Sequence, residues 1–177
     1  LSAPALIDGI VDSPTTRNLL RVYHLQERLK NFGKDSDFRA RHVHVVGAGV
    51  MGGDIAAWCA WRGLTVTLQD RTLATIAPAL QRAYAAWQRR TKDAIALRQA
   101  TDRLIPDPDG QGARRADVII EAIYEDLAAK RSLLRSLEER IPADAVLATN
   151  TSSLRLEDLR TLLARPERLI GVHFFNP

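Results

Sequence analysis

A short apolar run, Val43-His44-Val45-Val46, leads straight into Gly47-Ala48-Gly49-Val50-Met51-Gly52, and few folds admit glycines at that spacing behind a strand. Each glycine answers a mechanical need. Gly47 makes a tight turn, Gly49 lets the backbone approach a pyrophosphate, and Gly52 lets the following helix pack against the strand. The N-terminus of that helix offers unpaired N–H groups to phosphates. Small residues then recur along one helix face (Gly52, Ala56, Ala60), as a helix lying close on a sheet requires. A second strand, Leu64 to Gln69, ends at Asp70. An acidic residue about 20 positions past such glycines accepts hydrogen bonds from an adenosine ribose and repels a 2′-phosphate, which favours NAD over NADP. Arg71 beside it pulls the other way, since a 2′-phosphate attracts an arginine.

The rest of the chain continues the alternation. Helical periodicity covers Leu73 to Gln99, with Leu73, Ile76, Leu80, Tyr84 and Trp87 on one side, Tyr84 and Trp87 being read as core, and with Pro78 early enough to be tolerated or to kink the helix. Ile105 to Gly112 is rich in Pro, Asp and Gly and reads as loop. Strands are expected at Asp117–Ala122, Ala145–Thr149 and Leu169–His173, and helices at Leu127–Arg140 and Leu156–Leu163. The pattern predicts an α/β fold, a Rossmann-type doubly wound and mostly parallel sheet spanning residues 41–177. Residues 1–40 read as a separate linker helix and connector. Ser13-Pro14 opens the helix, Leu19, Val22, Leu25, Leu29 and Phe32 line one side and need a partner surface, and Lys34 to Arg41 is polar. Leu1 and Pro177 do not look like natural termini, so a longer parent chain is expected.

Composition excludes several classes. A chain of 177 residues buries on the order of 70% of its unfolded surface. There is no signal peptide and no apolar run of the roughly 18 residues that would suggest a membrane span, and the expected compartment is the cytoplasm. The single cysteine rules out a disulfide framework, and Cys59 reads as a buried hydrophobe. The net charge of +4 comes from basic residues interleaved with acidic ones, which describes a solvated surface and not a nucleic-acid site. His42 and His44 share a strand face but lack a third metal ligand, so no metal is expected.

In an open parallel sheet the ligand sits at the carboxyl ends of the strands. The residues at those tips are Asp70, Ile123-Tyr124-Glu125, Asn150-Thr151-Ser152 and His173. His173 is the one imidazole among them, the side-chain type suited to take a proton as a hydride leaves. Ser152 and Asn176 can hydrogen-bond a substrate oxygen. For Asn150 and Ser152 a helix N-cap is the competing interpretation.

Four stretches together, Gly47–Gly52, Asp117–Lys130 (DVIIEAIYEDLAAK), Asn150-Thr151-Ser152-Ser153-Leu154 and Gly171–Pro177 (GVHFFNP), resemble the NAD-binding domain of L-3-hydroxyacyl-CoA dehydrogenases. The leading helix is similar to the linker that joins hydratase and dehydrogenase parts in the bacterial multifunctional fatty-acid β-oxidation α-subunit. The resemblance implies that His173 is the base that removes the 3-hydroxyl proton while hydride passes from C3 to NAD. It implies that Ser152 and Asn176 lie around the substrate oxygen and nicotinamide, and that Met51, Asp70, Ile123, Tyr124, Glu125 and Lys130 contact the cofactor along with Gly47, Gly49 and Gly52. It further implies an acyl-CoA substrate, hydratase and C-terminal helical domains in the parent chain, and a thiolase subunit as a candidate partner. The glutamate that pairs with the family's histidine would fall beyond Pro177. Arg89, Arg90 and Lys92 are candidates for CoA by position and charge. Against this stands a second reading, a non-catalytic nucleotide-binding relative of the same fold; the presence of His173 with Ser152 and Asn176 favours the enzyme.

Overall fold

The computed structural model describes residues 13–31, 34 and 36–174. The chain divides into two units, Leu1–Arg39 and Ala40–Pro177. The first contains helix α1, Pro14–Asn31. Ser13 caps it, its Oγ accepting the Thr16 N–H at 3.2 Å, and Pro14 follows at the first helical position, where its missing N–H costs nothing. None of its residues is buried, and Leu19, Val22, Leu25 and Leu29 stand exposed. Phe32, the expected end of that stripe, lies outside the described residues.

The second unit is a six-stranded sheet. Its strands are β1 (His42–Val46), β2 (Thr65–Gln69), β3 (Leu104–Pro106), β4 (Val118–Glu121), β5 (Val146–Thr149) and β6 (Leu169–Gly171), ordered β3-β2-β1-β4-β5-β6 and all parallel. This is the order of a doubly wound dinucleotide-binding sheet. Helices α2 (Val50–Trp61), α3 (Leu73–Arg90) and α4 (Ala94–Arg103) cover one face, and α5 (Leu127–Glu138) and α6 (Leu156–Arg160) the other. Side chains alternate across a strand, so Val43 and Val45 enter the first core and Val46 the second. Gly52, Ala56 and Ala60 are buried as their spacing requires. A second small residue, Gly53, lets α3 approach: a Cβ there would lie 2.8 Å from that of Ala79.

Three expectations need correction, and one competing interpretation falls away. The helical run from Leu73 breaks at Thr91, because Asp93 caps a new helix by accepting the Ile95 N–H at 2.8 Å. Tyr84 is 43% exposed, on the outer side of α3, whereas Trp87 is core. Leu104–Pro106 forms a strand that takes in the first two residues, Ile105 and Pro106, of what reads as loop. It pairs with β2 at the sheet edge, where a terminal proline without N–H costs no ladder bond. Asn150 and Ser152 do not cap α6, whose N-cap is Arg155.

Candidate active site

The glycine turn is shaped by contact on two sides and by space on the third. Gly47 has φ +106°, and a Cβ on it would lie 2.5 Å from the Ala122 carbonyl oxygen; a Cβ on Gly52 would run into the carbonyl of Gly47. Side chains are excluded from both. Nothing stands within 4 Å of where a Cβ of Gly49 would be, so the backbone at the N-terminus of α2 faces open space. That space and the adjacent N–H groups fit a pyrophosphate.

Asp70, at the tip of β2, is oriented by two backbone donors: its Oδ2 accepts the Ala48 N–H at 2.8 Å and its Oδ1 that of Arg71 at 2.7 Å. A carboxylate fixed beside the turn is suited to a ribose diol. If the carboxylate dominates over the exposed Arg71, calorimetry will show NAD binding more tightly than NADP. Replacing Asp70 by Ala should narrow the gap, and equal affinity in the unmodified chain would sink the argument.

The tips of β4 and β5 are joined by a polar network. Glu121 is fully buried; its Oε1 accepts from Lys130 Nζ at 2.6 Å and from the Ile123 N–H at 2.8 Å, and its Oε2 from the Thr149 hydroxyl at 2.6 Å. Lys130 is only 1% exposed, and its ammonium also reaches Glu125 Oε2 at 3.3 Å and the Ile123 carbonyl at 3.1 Å. What Lys130 offers the site is a hold on Glu125 and Ile123. Glu125 in turn gathers the turn after β5: its Oε1 accepts the Thr151 hydroxyl, the Ser152 N–H at 3.2 Å, and both the N–H (3.2 Å) and hydroxyl (3.1 Å) of Ser153. Burial opposes ionisation of Glu125, but the hydrogen bonds from Thr151 and Ser153 and the charge of Lys130 outweigh it and bring its pKa to about 2. Tyr124, between these groups, is 73% exposed.

Ser152 is exposed on that turn, and His173 is exposed just past β6. Tertiary structure therefore brings Gly47, Gly49, Gly52, Asp70, Ile123, Tyr124, Glu125, Ser152 and His173 to one end of the sheet. Met51 lines a groove of about 720 Å³ beside α2 and α3, together with Trp58, Trp61, Arg89, Arg90 and Phe174, the neighbour of His173. Asn176 lies outside the described residues. Three contributors, Glu121, Thr149 and Arg82, were not singled out from the sequence. Thr149 reads as the last residue of an apolar strand. Arg82 reads as a solvated helix position, yet its Nη2 donates to the Gly49 carbonyl at 3.0 Å.

The two strand histidines are held by side-chain hydrogen bonds, and among the described residues no group of three His, Cys, Asp or Glu could hold an ion. His42 Nε2 and His44 Nδ1 share the Thr67 hydroxyl at 2.9 and 2.8 Å, and His44 Nε2 meets Gln69 Oε1 at 2.9 Å. Because the amide oxygen only accepts, His44 donates through Nε2. Thr67 then donates to His44 Nδ1 and accepts from His42. Burial lowers the pKa of both imidazoles. Likewise Cys59 is half-buried against the core, and burial raises its thiol pKa.

Residues 42–177 match the family model described as 3-hydroxyacyl-CoA dehydrogenase, NAD binding domain. Among solved structures the chain is similar to 3-hydroxybutyryl-CoA dehydrogenase from Escherichia coli, with 35% identity and a TM-score of 0.74 over 79% of this chain and 30% of that one. It is similar to FadB2 of M. tuberculosis at 32% identity and TM-score 0.75, covering 79% of this chain and 51% of that one. The dehydrogenase part of multifunctional enzyme 1 from C. elegans gives 28% identity and a TM-score of 0.72, covering 79% and 33%. The chain thus spans between 30% and 51% of the length of these relatives. The turn, the open approach at Gly49 and the carboxylate at Asp70 fit NAD, and the chain belongs to the 3-hydroxyacyl-CoA dehydrogenase family as its NAD-binding domain.

Proposed function

We propose that this chain is the cofactor-binding part of a longer enzyme that oxidises L-3-hydroxyacyl-CoA to 3-ketoacyl-CoA in fatty-acid β-oxidation. The observation that carries the reading is that His173 and Ser152 both lie past the strand ends, at the end of the sheet where Gly49 and Asp70 offer a dinucleotide cradle. A bare nucleotide-binding protein needs neither of the first two. NAD, when bound, supplies the hydride acceptor. His173 takes the proton of the 3-hydroxyl as the C3–H bond gives up its hydride and the C3 carbonyl forms. Ser152, fixed through its N–H by Glu125, presents its exposed side chain to the substrate oxygen, and Asn176 is proposed for the same neighbourhood on the family resemblance. Met51, Ile123, Tyr124 and Glu125 line the path of the cofactor, with Lys130 supporting the last.

The groove between α2 and α3 suits the CoA moiety. Arg82 reaches the glycine turn while Arg90 lies over the Trp58 ring, 5.0 Å from its centroid, so the two helices run side by side away from the turn. Arg89 and Arg90 there, with Lys92 just beyond α3, supply positive charge for phosphates. The resemblance of α1 to a linker supports a multifunctional parent with hydratase and C-terminal helical domains, a thiolase subunit as partner and a cytoplasmic setting. No helix among the described residues is long and apolar enough to cross a membrane.

The test is NADH formation from a short 3-hydroxyacyl-CoA by the whole protein and by residues 1–177 alone. The whole protein is expected to turn over, and the isolated chain to bind NAD without useful turnover, since the C-terminal helical domain proposed for the parent would not be there to position the substrate and screen it from water. Whole-protein activity confined to other substrates would refute the reading, and parent-like activity in the fragment would refute the dependence on the rest of the chain.

A further inference from the structure

The segment that carries His173 is tethered by two hydrogen bonds of different kinds. β5 and β6 run in register, Thr149 beside Gly171, and the ladder extends one bond further, from the Val172 N–H to the Thr149 carbonyl at 3.0 Å. In a parallel pair the next inward N–H along this strand, that of Phe174, would pair with the carbonyl two residues past Thr149. By then the other chain has left the sheet. The Asn150 N–H makes a last ladder bond to β4, to the Glu121 carbonyl at 2.8 Å, and past it the Thr151 hydroxyl and the Ser152 and Ser153 N–H groups are drawn to Glu125. The Phe174 N–H donates instead to Oδ1 of Asn150 at 2.9 Å. A side-chain amide supplies the acceptor that the main chain has withdrawn. His173 is the single residue between the two tethered N–H groups, so the direction in which its imidazole leaves the backbone is set from both sides.

We propose that Asn150 is a positioning residue for His173, extending the sheet by one hydrogen bond past the end of β5. The proposal rests on the reading of His173 as the proton acceptor. Asn150 suits the task for two reasons. Its own N–H is tied to β4, which leaves the side chain little freedom to swing away. Its amide accepts the bond without placing a charge beside the imidazole.

The test uses the full protein that carries this chain. Asn150→Ala is expected to lower kcat with a short 3-hydroxyacyl-CoA by about 10- to 100-fold, the scale of a misplaced reacting group, while NAD affinity changes by less than about threefold. Asn150→Asp keeps an acceptor for the Phe174 N–H and is expected to recover most of that loss. Its added carboxylate should also move the acid limb of the pH profile upward, because a nearby negative charge favours the imidazolium. A role confined to fold stability would give neither the rescue nor the pH change. Amide exchange gives a direct readout: the Phe174 N–H should exchange slowly in the unmodified and Asn150→Asp proteins and fast in Asn150→Ala. Unchanged kcat or unchanged Phe174 exchange in Asn150→Ala, beside a crippled His173→Gln protein, overturns the proposal alone. An unimpaired His173→Gln protein overturns the reading beneath it and the proposal together.

Discussion

Replacing His173 by glutamine in the full protein is expected to lower kcat by about 10²- to 10⁴-fold, the range that a positioned general base contributes, with little change in NAD affinity. Glutamine keeps hydrogen-bonding capacity at the site but cannot take a proton, so the loss isolates proton transfer from packing. The geometry behind the expectation is specific. His173 lies exposed past the edge strand β6, where it can meet a substrate that approaches the nicotinamide end of the cofactor; the nucleotide cradle at Gly47–Gly52 and Asp70 is built from β1 and β2, on the other side of β4. The nucleotide cradle and the proposed proton acceptor therefore come from separate halves of the sheet. Calorimetry with NAD beside steady-state kinetics makes the check. A parallel loss of NAD binding would assign His173 to the cofactor, and full activity would remove it from the chemistry.

The second large effect is expected at Lys130. Lys130→Met keeps the volume and apolar stem but removes an ammonium that sits 2.6 Å from Glu121, a carboxylate with no exposed surface. Breaking a buried pair from one side costs about 3–5 kcal/mol, because the remaining charge has neither partner nor water. Urea unfolding should show the midpoint falling with little change in slope. NAD affinity should fall as well, since Lys130 also holds the Ile123 carbonyl and Glu125, on which the Thr151–Ser153 turn hangs. Adding Glu121→Gln to Lys130→Met should return part of the stability, because the uncompensated charge is then gone. A Lys130→Met protein within about 1 kcal/mol of the unmodified one would show that water or relaxation already screens Glu121.

These two residues differ in how far they could be read in advance. The glycine turn is legible because each of its constraints is local: a tight turn, a close approach and a helix start within six consecutive residues. Asp70 and His173 follow from a rule about strand tips that needs only the strand order. The ion cluster is different. Glu121 closes an apolar run and Lys130 lies in an ordinary amphipathic helix, so neither announces burial; only the approach of β4, β5 and α5 converts them into a pair. The same applies to Asn150, whose type and position suit a helix cap until β6 arrives to claim its side chain. β3 escaped because three residues hold no period, and its strand character exists only in its pairing with β2. The break between α3 and α4 had a readable signal in Asp93, but the apolar spacing on either side ran through it.

The strand order carries a consequence for the order in which the molecule acquires its parts. β1 and β2, which make the nucleotide cradle, emerge before the other described strands of the sheet, whereas β4, which flanks β1 within the sheet, comes only after the whole α3–α4 excursion. β6 comes last. Pairings between segments so distant in sequence must close long loops before they are rewarded, so the glycine turn waits with one side of its strand uncovered until β4 docks. The proposed proton acceptor, His173, follows β6, the last of the described strands, at the rim. A growing chain thus assembles the means to hold a nucleotide before it has any means to use one.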